Sequence, residues 1–144
     1  MSLTYSCALR ISEVINLKIE DIDSAKMLIH IKNAKGKKDR FVPLSETILE
    51  LLRNYYLAFR PKEYLFNGQY SFQYSATSCN KIVKRYIGEK YHMHLLRHAG
   101  ATKAYENGTD IFLVQKFLGH KNPKTTQIYT HVSNSVLQQI KTAI

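Results

Sequence analysis

Between Leu3 and Leu17 the apolar residues Leu9, Ile11, Val14, Ile15 and Leu17 recur at helical rather than alternating spacing, which predicts one helix across the segment. "EDIDSAK" then reads as a turn. In "MLIHIKNAKGKKDRFVPL" (27–44), Met27, Ile29 and Ile31 alternate with Leu28, His30 and Lys32, and a basic Gly-containing turn leads into "RFVPL". That is the pattern of a β-hairpin, with Pro43 suited to a strand edge or end. Ser45 starts a helix that runs through "ETILELLRNYYLAF" and stops before Arg60-Pro61. Residues 61–77 read as loop, 78–87 as a helix, and about 94–106 as another, ended by Asn107-Gly108. "TDIFLVQKFLGH" is a short amphipathic helix closed by Gly119. Helix restarts near Thr125, and the last helix (about 134–143) carries Val136, Ile140 and Ala143 on one stripe. Neither an internal repeat nor a long linker divides the chain. The expected class is mainly α (α+β), a helical domain with one small antiparallel hairpin sheet.

Charge narrows the partners. The 144 residues hold 21 Lys and Arg against 11 Asp and Glu, a formal net charge of +10. On a compact domain this excess predicts a polyanion, with nucleic acid ahead of an anionic membrane surface. No apolar run approaches the ~20 residues of a spanning helix. Hydrophobic residues make up 44% of the chain, enough for a packed core. Cys7 and Cys79 form neither a CxxC pair nor a dense framework, which fits a reducing cytoplasm and two small apolar side chains. A helical pattern is already running by about residue 4, so the chain is expected to begin inside a larger protein.

The chemistry gathers at "HLLRHAG" (94–100). On a helix, residues three and four apart share a face, so His94, Arg97 and His98 stack where Leu or Ala would be usual. Such a face suits a metal ion or an anion. His94 and His98 have the spacing of two zinc ligands, yet the residue after the first His is Leu95 rather than a basic Glu, and Arg97 adds a fixed cation. For an anion, the planar fork of Arg97 matches two phosphate oxygens, and Arg10 is a possible counterpart. The hairpin adds Lys32, Lys35, Lys37, Lys38 and Arg40 within nine residues, and "LGHKNPKTTQIYTH" adds His120, Tyr129 and His131.

Taken in order, "ALRISEVINLKIEDID", "KGKKDRFVPL" and "HLLRHAGATKAYENGTDIFLVQKFLGHKNPKTTQIYTHVS" resemble the catalytic domain of the tyrosine recombinases, the phage integrase family, with an Xer-like pattern. The resemblance runs from about residue 5 to residue 135. By it, Arg10 is similar to the first catalytic arginine and Glu13 to the acidic residue that orients the pocket. Lys35 resembles the hairpin lysine, His94 and Arg97 the His-x-x-Arg pair, His120 the LGH histidine and Tyr129 the nucleophile. His98 lies outside that set and is expected to pack or buttress.

The resemblance implies a site-specific recombinase that cuts and rejoins DNA through a 3′-phosphotyrosyl link, with no metal and no cofactor. It implies double-stranded DNA as partner, a homo-tetramer assembled on DNA, no membrane, and a cytoplasmic, nucleoid-associated prokaryotic setting. Lys32, Lys37, Lys38, Arg40, Lys81, Lys84 and Arg85 are the expected phosphate contacts. The last helix has two possible seats, its own domain or a neighbouring protomer. The chain reads as one N-terminally truncated catalytic domain. Three other functions compete: a DNA-binding module without catalysis, a type IB topoisomerase-like enzyme, and a zinc hydrolase using His94 and His98. One departure stands out. The family's usual Thr-Gly-Leu-Arg is here Cys7-Ala8-Leu9-Arg10, and in a segment read as helix, Ala for Gly is expected to cost little.

Overall fold

The computed structural model describes residues 1–34, 38–119 and 142. The first segment folds as two helices, not one: α1 (Ser2–Cys7) and α2 (Ile11–Asn16). The break is at Ala8, whose φ of 49° and ψ of 38° are left-handed. Apolar periodicity carries straight through such a break because Leu9 is buried on either reading. After a 3₁₀ turn (Ile19–Asp21) come β1 (Ile22–Asp23), β2 (Leu28–Ala34) and β3 (Lys38–Pro43), an antiparallel sheet in the order β1-β2-β3. Ile29 pairs with Val42 and Ile31 with Arg40, which turns Ile29, Ile31 and Val42 into the core. Pro43 ends its strand, where a missing N–H costs no ladder bond.

The remaining helices lie close to their expected spans, and the capping residues explain why. The Ser45 hydroxyl accepts the Ile48 N–H at the start of α3 (Glu46–Phe59), and Ser75 does the same for Ser78 in α4 (Ala76–Tyr86). α5 spans Met93–Glu106. α6 (Ile111–Leu118) is capped by Asp110 and closed by Gly119 at a φ of 65°. The expected helices near Thr125 and at 134–143 lie outside the described residues. Thr142 does not, and its carbonyl accepts from Asn107 Nδ2 at 3.3 Å.

The core joins α1, α2, the sheet, α3, α5 and α6 through Leu3, Leu9, Val14, Ile29, Val42, Ile48, Met93 and Phe117. Cys7 is sealed inside it, and burial pushes its thiol up to about 12. The tightest joint is α1 on α5. A Cβ added at Gly100 would stand 1.8 Å from the Tyr5 carbonyl oxygen, so the two backbones touch where only glycine fits. Ala101 and Ala104 keep the same part of α5 small and buried. Because α5 carries His94 and Arg97, this joint sets the depth at which those side chains enter the site.

Gly100→Ala forces α1 and α5 apart. It is expected to lower the unfolding free energy by about 3 kcal/mol, the upper range for overpacking a rigid contact, measured by urea denaturation. An exposed neighbour, Ala99→Ser, is expected to change it by less than about 0.5 kcal/mol.

Candidate active site

The site grows from the N-terminus of α2. Arg10 is the N-cap residue, and Glu13, one turn in, reaches back so that its Oε2 accepts the Arg10 backbone N–H at 2.7 Å. The same carboxylate, only 6% exposed, then gathers three guanidinium groups. Arg10 Nη1 donates to Oε1 at 3.2 Å. Arg40, from β3, binds both oxygens in a fork, at 2.6 and 2.9 Å. Arg97, from α5, comes within 3.8 Å of Oε2.

One carboxylate cannot neutralise three cations, and the rest of the compensation comes from helix ends. The last carbonyls of a helix lack intrahelical partners and carry the negative end of its dipole. Three consecutive carbonyls where α6 ends take one arginine each: Phe117 from Arg40 Nε at 3.3 Å, Leu118 from Arg97 Nη2 at 2.6 Å, and Gly119 from Arg10 Nη2 at 3.5 Å. The left-handed Ala8 at the end of α1 gives its carbonyl to Arg97 Nη1 at 2.5 Å. The Ala8 conformation is therefore part of the site. A left-handed alanine costs on the order of 1 kcal/mol that glycine would not, so Ala for Gly is not the small change expected of a helical position.

The electrostatics follow from this crowding. Burial works to raise the Glu13 pKa, but the Arg40 hydrogen bonds and charge, followed by Arg10, more than offset it, and the carboxyl lies below its usual value. Burial, then the charge of Arg10, brings Arg97 down to about 10, still charged at neutral pH. Arg97 as a whole is 2% exposed. His94 is also lowered, first by desolvation and then by His98, Arg97, His92 and Arg10. It is neutral at pH 7, with a lone pair to accept a proton. His94 and His98 are joined Nε2 to Nε2 at 2.8 Å. Arg10 and Glu13 also form one end of an open groove of about 720 Å3 that extends to His30 and Lys32.

Arg10, Glu13 and Arg97 are thus brought together, with His94 one helical turn from Arg97. Lys35, Lys37, His120 and Tyr129 lie outside the described residues. Two of the expected phosphate contacts are engaged within the protein itself. Arg40 is 12% exposed and spent on Glu13 and the Phe117 carbonyl, so it braces the site. Lys32 is held by Glu20 and Asp21, both at 2.8 Å, because the 3₁₀ turn sets two carboxylates beside β2. Lys38, Lys81, Lys84 and Arg85 are exposed, the last three along one face of α4. No signal in the sequence separated Arg40 from the hairpin lysines. Its role depends on the strand register that sets it opposite Ile31. Among the described residues no group of three or more His, Cys, Asp or Glu side chains could hold a metal ion, and no helix is long and apolar enough to cross a membrane.

The site is a cluster of arginines braced on one carboxylate, beside a histidine of lowered pKa, on a mainly helical domain. The chain belongs to the Phage integrase family, whose model matches residues 1–135. It is 40% identical over 139 residues to a tyrosine recombinase of Pseudothermotoga lettingae, covering 92% of this chain and 48% of that protein. Its fold superposes on the crystal structure of XerA recombinase with a TM-score of 0.76 at 33% identity, over 95% of this chain and 52% of that one. The XerH site-specific recombinase bound to difH substrate, in a pre-cleavage complex, gives 0.73 at 32% identity, over 90% and 40%. The chain spans about half the length of the curated relatives it matches.

Glu13→Ala leaves three clustered cations with no carboxylate and is expected to cost about 3 kcal/mol of stability, by analogy with other broken buried pairs. Because the Glu13 pKa is lower in the folded chain, its ionised form contributes stability that is complete above the unfolded value of roughly 4.3 and is lost as pH falls through the folded value. Thermal unfolding of Glu13→Gln should therefore show a shallower decline below about pH 4.3 than the wild type.

Proposed function

We propose that this chain is the catalytic part of a site-specific DNA recombinase, which cuts one strand by attack of Tyr129 on the scissile phosphodiester and later reseals it to a new end. The tyrosine oxygen bonds to phosphorus, the bond to the 5′-oxygen breaks, and a 3′-phosphotyrosyl link holds the strand for rejoining without ATP. The Tyr129 proton passes to His94. Lys35 protonates the departing 5′-oxygen. Arg10, Arg97 and His120 stabilise the extra negative charge on the non-bridging oxygens in the transition state. Glu13 and Arg40 position the arginines, and no cofactor takes part.

The observation that carries this reading is the convergence of Arg10 and Arg97 on Glu13. A guanidinium has five N–H donors in a fixed fork. Those not spent on carbonyls and Glu13 remain for a phosphate. The lowered pKa of His94 suits a proton acceptor at neutral pH, and His120 directly follows the Gly119 whose carbonyl binds Arg10. Family membership supports the same roles. Along the duplex, Lys37, Lys38, Lys81, Lys84 and Arg85 contact phosphates, and the enzyme works as a tetramer assembled on double-stranded DNA, in the cytoplasm at the nucleoid.

Tyr129→Phe is expected to abolish the covalent protein–DNA adduct on a nicked duplex while changing the DNA Kd by less than twofold or so, since one hydroxyl adds little to a phosphate-dominated affinity. An adduct that persists would exclude Tyr129 as nucleophile. In salt titrations, Lys81→Ala with Lys84→Ala should lower the slope of log K against log salt by about 2. Arg40→Ala should lose stability instead, with the slope unchanged.

A further inference from the structure

His98 falls outside the catalytic set, yet its ring is hydrogen-bonded to that of His94. Their Nε2 atoms are 2.8 Å apart, with ring centroids 4.3 Å apart and ring planes at 85°. On the other side of His94 the His92 ring lies nearly parallel, at 6.3 Å. Two ring nitrogens at that distance share one proton: one carries it and the other offers a lone pair. If His98 donated, the free lone pair of His94 would be consumed and its other nitrogen would already hold a hydrogen. Such a His94 could take no proton. If His94 donates, its Nδ1 is open.

We propose that His98 is a positioning residue for His94: it accepts the His94 Nε2–H, fixes the ring edge-on, and leaves Nδ1 as the nitrogen that takes the proton of Tyr129. The proposal rests on the strand-transfer reading of the site. It assigns His98 the orienting part that a buried carboxylate plays for the histidine of a serine hydrolase, but with a neutral acceptor. The difference suits the setting. Among the described residues, the groups that act electrostatically on His94 are His92, Arg97 and His98 from α5 and Arg10 from the start of α2, all cationic or basic. A carboxylate partner would raise its basicity and leave it protonated before the reaction. A neutral imidazole orients His94 and stabilises it chiefly after the proton has arrived, when the Nε2–H bond becomes charge-assisted.

The test uses the protein at its natural length with 15N-labelled histidine. Above pH 7, a scalar coupling across the N–H···N bridge should connect the His94 and His98 Nε2 nuclei, and His98→Ala should abolish it. The kinetic arm uses a nicked duplex selected from random sequence by covalent capture on the wild type. Single-turnover adduct formation should fall about tenfold in His98→Ala, as expected for a displaced general base. It should recover to within about threefold in His98→Gln, whose side-chain carbonyl also accepts, with DNA Kd unchanged in both. An adduct-forming wild type that lacks the coupling, or a His98→Ala variant with the wild-type rate and pH profile, overturns the role of His98 alone. A wild type that shows the coupling but captures no duplex overturns the strand-transfer reading and this role with it.

Discussion

Three guanidinium groups sharing one buried carboxylate is the constraint from which the rest of the architecture follows. Arginines brought together repel one another and lose hydration. Such a cluster persists only if every donor turned inward finds an acceptor. Glu13 supplies two acceptor atoms, and the ends of α1 and α6 supply four carbonyls, from Ala8, Phe117, Leu118 and Gly119. Helix ends are economical here because their last carbonyls need partners in any case. The cluster therefore binds α2, β3, α5 and α6 to one point. The hydrophobic core lies against those same elements, through Val14, Val42, Ala101 and Phe117.

This dependence explains what could be read in the sequence and what could not. Helices α3, α5 and α6 were legible because local chemistry marks their ends: Ser45, Arg60-Pro61, Asn107-Gly108, Gly119; α4 was legible only as 78–87, without its Ser75 cap. The β-hairpin was legible from alternation. Arg10, Glu13 and Arg97 were legible as a resemblance, and the structure brings them to one place. The break at Ala8 was not, because its cause is nonlocal. The chain turns left-handed there and the turned carbonyl meets a guanidinium 89 residues away. The bond of Arg40 to Glu13 was hidden for the same reason. In a run of lysines Arg40 looks like another solvent-facing cation, and only the pairing of β2 with β3 and the approach of α6 make it internal. The carboxylate partners of Lys32 were not legible either, because acids from the preceding turn come beside its strand only in the fold.

The division between Arg40 and the two other arginines has a physical basis. Arg40 makes a bidentate bond to Glu13 at 2.6 and 2.9 Å, the strongest geometry for this pair of groups, whereas Arg10 is held at 3.2 Å and Arg97 approaches at 3.8 Å. The carboxylate charge is thus chiefly answered by Arg40. The two arginines proposed to meet the phosphate are oriented by Glu13 without being neutralised by it. Had Glu13 paired best with Arg10, the same four side chains would form a stable but electrostatically closed cluster.

Preorganisation of this kind trades stability for readiness. The residual positive charge is maintained at a desolvated point, and its burial shows in Arg97, lowered to about 10, and in His94, lowered from its ordinary value. Both shifts have the same sign and the same consequence. Each group gives up some affinity for protons, Arg97 remaining a cation at neutral pH and His94 remaining a neutral base. Desolvation is the larger cause of both shifts and the neighbouring cations the smaller. Negative charge developing in the proposed transition state would offset the cations' part, so that His94 becomes a better proton acceptor as the charge appears. The arginines would then serve the proposed reaction twice, by stabilising that charge and by adding to the desolvation that keeps His94 unprotonated until it appears.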